Sequence, residues 1–126
     1  MPLVRIDVPD TTDLARRQKI AEVVYDCMIG VLNVPADDRF IVISGHTPHE
    51  LIISADYLGI ERSAGALIIQ LTLNAGRDLE TKRAFYRAVA DGLAQRAGVR
   101  PEDVTISLVE VAKENWSFGN GVASYA

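Results

Sequence analysis

The chain has 126 residues, 48% hydrophobic and 24% charged, with a formal net charge of −4, the balance of a folded globular chain and not of a disordered tail. Acidic and basic residues alternate with no basic run to track phosphates, which argues against a nucleic-acid partner. No stretch approaches the ~18 apolar residues of a membrane span, Arg5 and Asp7 interrupt the apolar run a signal peptide needs, and no Pro, Gly or Ser-rich linker appears, so the expectation is one cytoplasmic domain over residues 1–126 with no membrane partner.

Pro2 to Val8 alternates Leu3, Arg5 and Asp7 with Val4, Ile6 and Val8, which is the period of a strand. Thr11 or Thr12 is placed to cap a helix whose apolar positions Ile20, Val23, Val24, Cys27, Met28 and Val31 recur every three or four residues, and Asn33 and Pro35 end it. Cys27, the single cysteine, excludes a disulfide framework and reads as a buried thiol. A second strand is expected over Arg39 to Ser44, followed by an irregular stretch from Gly45 to Ser63, long enough to carry function.

Ala66 to Leu73 is nearly continuous in apolar residues, as a central strand buried on both faces is. Asp78 then caps a second helix with Phe85, Val89 and Leu93 on one stripe, and Gly98 closes it. Val104 to Val111 makes a fourth strand, and the tail from Trp116 to Gly121 has turn chemistry around two aromatics.

The halves echo each other, each running strand, helix, then a Pro-containing acidic turn before the next strand. An α+β fold follows, in which tandem β-α-β units form a four-stranded mixed sheet with two helices on one face, since each crossover is right-handed. The opposite face, to which Val4, Ile6, Val109 and Val111 are assigned, lacks a cover, so an oligomer is expected.

Four segments in order carry a resemblance beyond the strand that opens at Pro2. Val34-Pro-Ala-Asp-Asp-Arg-Phe40, Leu58-Gly-Ile-Glu-Arg-Ser63, Arg77 ahead of the second helix and Trp116-Ser-Phe-Gly119 together resemble the malonate semialdehyde decarboxylase-like group of the tautomerase superfamily. The resemblance implies the tautomerase-like fold and a homotrimer without cofactor. It also implies that Pro2, freed by removal of Met1, supplies a catalytic amine, that Asp38 is its acidic partner, that Arg77 binds the substrate carboxylate, and that Trp116 and Phe118 line the pocket. One position departs from the pattern: Ala75 stands where the decarboxylase has a second arginine. Arg62 is a candidate second cationic contact in compensation, or else an ion-pair partner within its loop.

A terminal proline is a secondary amine, and an α-amino group titrates at about 7.7 to 8.0, so its surroundings choose its protonation state. Among apolar side chains it is a base able to take a proton from carbon next to a carbonyl. Beside a carboxylate it is a cation that donates to a carbonyl oxygen, or through its free fraction forms an iminium. Arg77 offers a two-pronged fork to a carboxylate. Each residue also has a plain structural reading: a strand-opening proline for Pro2, a turn acid for Asp38, a surface ion pair with Asp78 or Glu80 for Arg77, and core aromatics for Trp116 and Phe118. His46 and His49 share a His-x-x-His spacing without a third ligand, so no metal is expected. The expected activity is acid/base work on a small oxo acid, with a catalytically inactive oligomer of the same fold as the alternative.

Overall fold

The computed structural model describes residues 2–125. Their regular elements are β1 (Leu3–Pro9), α1 (Leu14–Leu32), β2 (Ile41–His46), β3 (Leu67–Asn74), α2 (Leu79–Ala97) and β4 (Val104–Val111). Short 3-10 turns lie at Tyr57–Gly59, Pro101–Asp103 and Lys113–Asn115.

The α1 cap is Asp13, not Thr11 or Thr12: its carboxylate accepts the Arg16 N–H at 2.8 Å, while the Thr12 N–H is spent on the Pro9 carbonyl in the preceding turn. Asn33 ends the helix at a φ of 57°, a left-handed geometry that asparagine tolerates. Asp78 caps α2 through the Thr81 N–H at 2.8 Å, and Gly98 closes it at a φ of 64°, as expected from the sequence. β2 begins two residues later than its expected start at Arg39. The Arg39 guanidinium instead lies over the Tyr25 ring, 4.4 Å from its centroid.

The sheet order is β2-β1-β3-β4, with β1 and β3 antiparallel at the centre and β1·β2 and β3·β4 parallel. This is the mixed four-stranded sheet with both helices on one face. Val4, Ile6 and Val8 of β1 and Leu67, Ile69, Leu71 and Leu73 of β3 join Ile20, Val23, Val24 and Met28 of α1 and Phe85, Val89 and Leu93 of α2 in one core.

Two expectations about faces are corrected by this alternation. Val4 and Ile6 do not share the uncovered face with Val109; they lie under the helices, 0% and 1% exposed, and the uncovered face carries Leu3, Arg5, Val42, Gln70, Thr72 and Val109 instead. β3 is likewise buried on one face only. Its odd-numbered residues are buried, while Ile68, Gln70, Thr72 and Asn74 on the other side keep some exposure. Side-chain period decides this, because a strand next to a one-sided helix layer buries every second residue whatever its mean hydropathy.

Candidate active site

Four chain segments meet at one end of the sheet, as the pairing register requires. Leu3 lies opposite Thr72, so the start of β1 abuts the end of β3; Val4 pairs with Ile41, so the segment before β2 lies there too; and Asn74 pairs with Val111, which brings the tail after β4 to the same place. Pro2 is buried at this end. Its strand is tied to the segment before β2 by the Val4 N–H, which donates to the Phe40 carbonyl at 2.9 Å.

Asp38 is on that segment, in a turn where its N–H donates to the Pro35 carbonyl at 3.0 Å, and its residue is 2% exposed. Burial raises its pKa above the ordinary aspartate value, the positive charge at the chain's amino terminus pulls it down, and Asp37 adds to the rise. Asp37 is exposed and Asp38 is not, so the two neighbouring turn acids do not share one environment. The expected removal of Met1 concerns a residue outside the described ones.

Arg77 follows β3 in the turn into α2. Its Nε and Nη2 donate to the Leu32 carbonyl at the end of α1, at 3.3 and 2.8 Å, and Nη1 donates to the Asn74 carbonyl at 3.3 Å. It is no surface ion pair with Asp78 or Glu80, since Asp78 caps its helix and Glu80 pairs with Arg83 at 2.7 Å. The guanidinium thus fastens the end of α1 to the end of β3, and one N–H on each terminal nitrogen is left over.

Asn74 ties this corner to the tail. Its side-chain oxygen accepts the Trp116 indole N–H at 2.7 Å. Trp116 stacks on Phe118 at 5.1 Å between centroids, Phe118 meets Phe40 at 5.3 Å, and Tyr125 presents edge-on to Phe118 at 5.7 Å. Asp38, Arg77, Trp116 and Phe118 are therefore carried to the end of the sheet where Pro2 lies. Sequence reading assigned no role to Asn74, Phe40 or Tyr125. The one signal for Asn74 was its place at the last position of β3 before the Arg77 turn; nothing local marked Tyr125.

Arg62 is placed elsewhere. Its Nη1 donates to the carbonyls of Ser54, Tyr57 and Ile60 at 3.2 to 3.4 Å, and its neighbour Ser63 is bound to Asp103 ahead of β4, at the opposite end of the sheet from Asn74. Within one chain it organises its own loop, and the expected pairing with a loop acid gives way to three backbone carbonyls. His46 is also at that far end, bound to Asp7 at 2.6 Å, beside a hollow of about 260 Å³ lined by Pro9, Leu51 and Ile53. Among the described residues no group of three or more His, Cys, Asp or Glu is arranged to hold a metal ion. Cys27, expected to be buried, is only partly so; its burial raises the thiol's pKa, which disfavours the thiolate.

A four-stranded mixed sheet of two β-α-β units, with Pro2, a buried acid and an aromatic cluster at one end, is the tautomerase-like fold. Two family profiles described as tautomerase enzyme match residues 38–119 and 2–60. Probable tautomerase YusQ of Bacillus subtilis (strain 168) is 38% identical over 123 residues, spanning 98% of this chain and 97% of that one. The FG41 malonate semialdehyde decarboxylase, solved with 3-bromopropiolate as inhibitor, superposes with a TM-score of 0.91 at 39% identity, covering 98% of this chain and 93% of the other. A second malonate semialdehyde decarboxylase, described for decarboxylase and hydratase activities, gives 0.90 at 29% identity over 98% and 95%. The chain belongs to the tautomerase family. Within that superfamily it falls with the malonate semialdehyde decarboxylase-like group, and it is an enzyme of the isomerase or decarboxylase type.

Proposed function

We propose that this enzyme acts on a small oxo acid through the secondary amine of Pro2, freed by loss of Met1, by decarboxylation of a malonate semialdehyde-like 3-oxo acid or by keto-enol tautomerisation. The observation that carries this reading is the burial of both Pro2 and Asp38 at the sheet end where the aromatic cluster and Arg77 converge. A buried carboxylate favours a cation beside it. Asp38 therefore holds the Pro2 nitrogen as an ammonium that donates to the substrate carbonyl.

In the decarboxylation, the bond between the carboxyl carbon and its neighbour breaks, carbon dioxide leaves, and the electron pair runs into the carbonyl, whose oxygen takes its proton from Pro2. The resulting enol then reprotonates on carbon to the aldehyde. Arg77 orients the substrate through the two N–H groups not held by Leu32 and Asn74. Trp116 and Phe118 line the floor and keep water out, which strengthens every charge interaction inside. The whole chain acts as one domain, works in the cytoplasm without a cofactor, and completes its uncovered sheet face by forming a homotrimer.

The deciding experiment is a pH-rate profile on malonate semialdehyde and on the enol of phenylpyruvate, with Pro2→Ala as control. A cationic Pro2 gives malonate semialdehyde turnover that fades as pH rises through the amine's pKa and is lost in the variant. Turnover of the enol alone, rising with the neutral amine, assigns tautomerisation. Activity undiminished in Pro2→Ala, whose processed chain still carries a primary amine, ends the reading that the secondary amine of proline is required.

A further inference from the structure

The two halves of the chain repeat at a fixed spacing, and the antiparallel pairing of β1 with β3 turns that repeat into a twofold exchanging the two ends of the sheet. The spacing that separates the caps Asp13 and Asp78 also separates the helix stops Asn33 and Gly98 and the strand ends His46 and Val111. It separates the acids Asp38 and Asp103 too, both buried. Carried on, it sets Leu51 against Trp116 and Ile53 against Phe118, so the hollow of about 260 Å³ that Leu51 and Ile53 line beside His46 is the counterpart of the Pro2 end. The chemistry does not repeat. Leu67 falls where Pro2 does, with a chain amide in place of an amine, and Thr12 falls where Arg77 does. Asp103 is held by the Ser63 N–H and Oγ at 2.8 and 2.5 Å and by Arg100 at 3.5 Å. Arg17 gives Nε and Nη2 to the carbonyls of Thr12 and Asp10 and does not line the hollow, whereas Asp10 does.

We propose that this hollow is a second, non-catalytic binding site, for a small neutral aromatic alcohol of the phenol class. Its walls are apolar, from Pro9, Pro48, Leu51 and Ile53, and aliphatic side chains stand where the other end has two stacked rings. The space they leave is that of a single ring: an apolar cavity of about 150 Å³ already holds benzene, and drug-sized ligands need about 300 Å³ or more. His46 supplies the polar end. The Asp7 carboxylate, 2.6 Å from its Nε2, accepts the proton there, so Nδ1 of the neutral ring is an acceptor to which a ligand hydroxyl donates. A carboxylate is refused, because Asp10 on the wall repels it and no guanidinium lines the hollow to receive it. The two ends of one duplicated sheet thus select opposite ligands, an anionic oxo acid at one and an uncharged ring at the other. None of this depends on the amine reading of Pro2.

The full chain, labelled with nitrogen-15, is titrated with p-cresol at neutral pH, where a phenol keeps its proton, and with toluene and p-toluate as ring-matched controls, while amide shifts are followed. The expected result is saturable shifts of residues 46–53 and 63–66 with a Kd of about 1 mM, toluene weaker by about fivefold for want of the hydroxyl bond, and no saturation by p-toluate. In His46→Phe the preference for p-cresol over toluene disappears. Ala64→Trp, at an exposed position on the wall, fills the hollow and abolishes binding of both at an unchanged melting temperature, while Pro2→Ala binds as the parent does. The proposal is overturned by shifts that fail to saturate or that gather at residues 38–40 and 116–118. It is equally overturned by p-toluate binding as tightly as p-cresol, by a p-cresol preference that survives in His46→Phe, or by binding that survives in Ala64→Trp. Turnover of an oxo acid is untouched by any of these outcomes, so the amine reading stands or falls separately.

Discussion

Asp38 ties the stability of the fold to pH. Its folded pKa is raised, so the folded protein binds this proton more tightly than the unfolded chain does, and the linkage has a definite sign. Stability attributable to Asp38 is fullest below the unfolded aspartate pKa, about 3.9, and declines as pH climbs from there through the raised folded value. Asp38→Asn removes the decline while keeping the turn in which the Asp38 N–H reaches the Pro35 carbonyl. Melting curves across pH are expected to show the variant gaining on the parent through that window and holding a constant lead above it, while kcat falls about 100-fold. A stability difference that does not change with pH contradicts the burial argument.

Arg77 illustrates a second residue-scale point. The sequence set a substrate-binding role against a surface ion pair, and the structure gives it a third task, closing the end of α1 through the Leu32 carbonyl. An arginine next to Asp78 and near Glu80 looks like an ion-pair partner only until both acids are seen to be engaged locally, one as a cap and the other with Arg83. The carbonyl that holds it lies 45 residues earlier in the chain, a separation at which no local pattern is informative.

At the scale of elements, the helix pair is in close contact at Gly92. A Cβ added at Gly92 of α2 meets the Val23 Cγ1 of α1 at 2.8 Å, closer than side chains tolerate without moving. Valine has no flexible end to swing aside, and its neighbours are core residues. Gly92→Ala gains about 1 kcal/mol of helix propensity but overpacks the interface by about 1–3 kcal/mol, so a net loss near 1 kcal/mol is expected in urea unfolding. An increase in the urea midpoint means the helices can part without penalty.

The elements themselves were largely legible. Asp78 and Gly98 bracket α2 as cap and left-handed stop because both signals act within one helical turn. The α1 cap fell to Asp13 over the two threonines, since the turn after β1 uses the Thr12 N–H and leaves Asp13 in extended backbone directly ahead of Leu14. Mean hydropathy misled at β3, where an apolar run was read as a two-sided strand although only alternate residues are fully buried.

For the whole molecule, the face of the sheet away from the helices is the feature that calls for a partner. Leu3 is 38%, Val42 42% and Val109 37% exposed there, beside Arg5 and Gln70. If three copies close over this face, a charge placed in its midst opposes assembly without touching the core. Val109→Asp is expected to convert a trimer to monomers in light scattering while far-ultraviolet circular dichroism stays that of the parent. A variant that remains trimeric moves the interface elsewhere on the surface.

The sequence by itself determined the fold class and the helix stops, because propensity, capping and side-chain period are set by neighbours within a few positions, and its four motif segments carried the resemblance to the family. It did not determine which residues meet. Pro2, Asp38, Asn74, Arg77, Trp116 and Tyr125 are assembled by strand register, and Arg62, quoted beside them in the motif order, is carried to the far end of the sheet by the same register. Only the tertiary structure fixes that, since contacts between residues tens of positions apart depend on how strands pair and which face each side chain takes, and neither is written in any single segment.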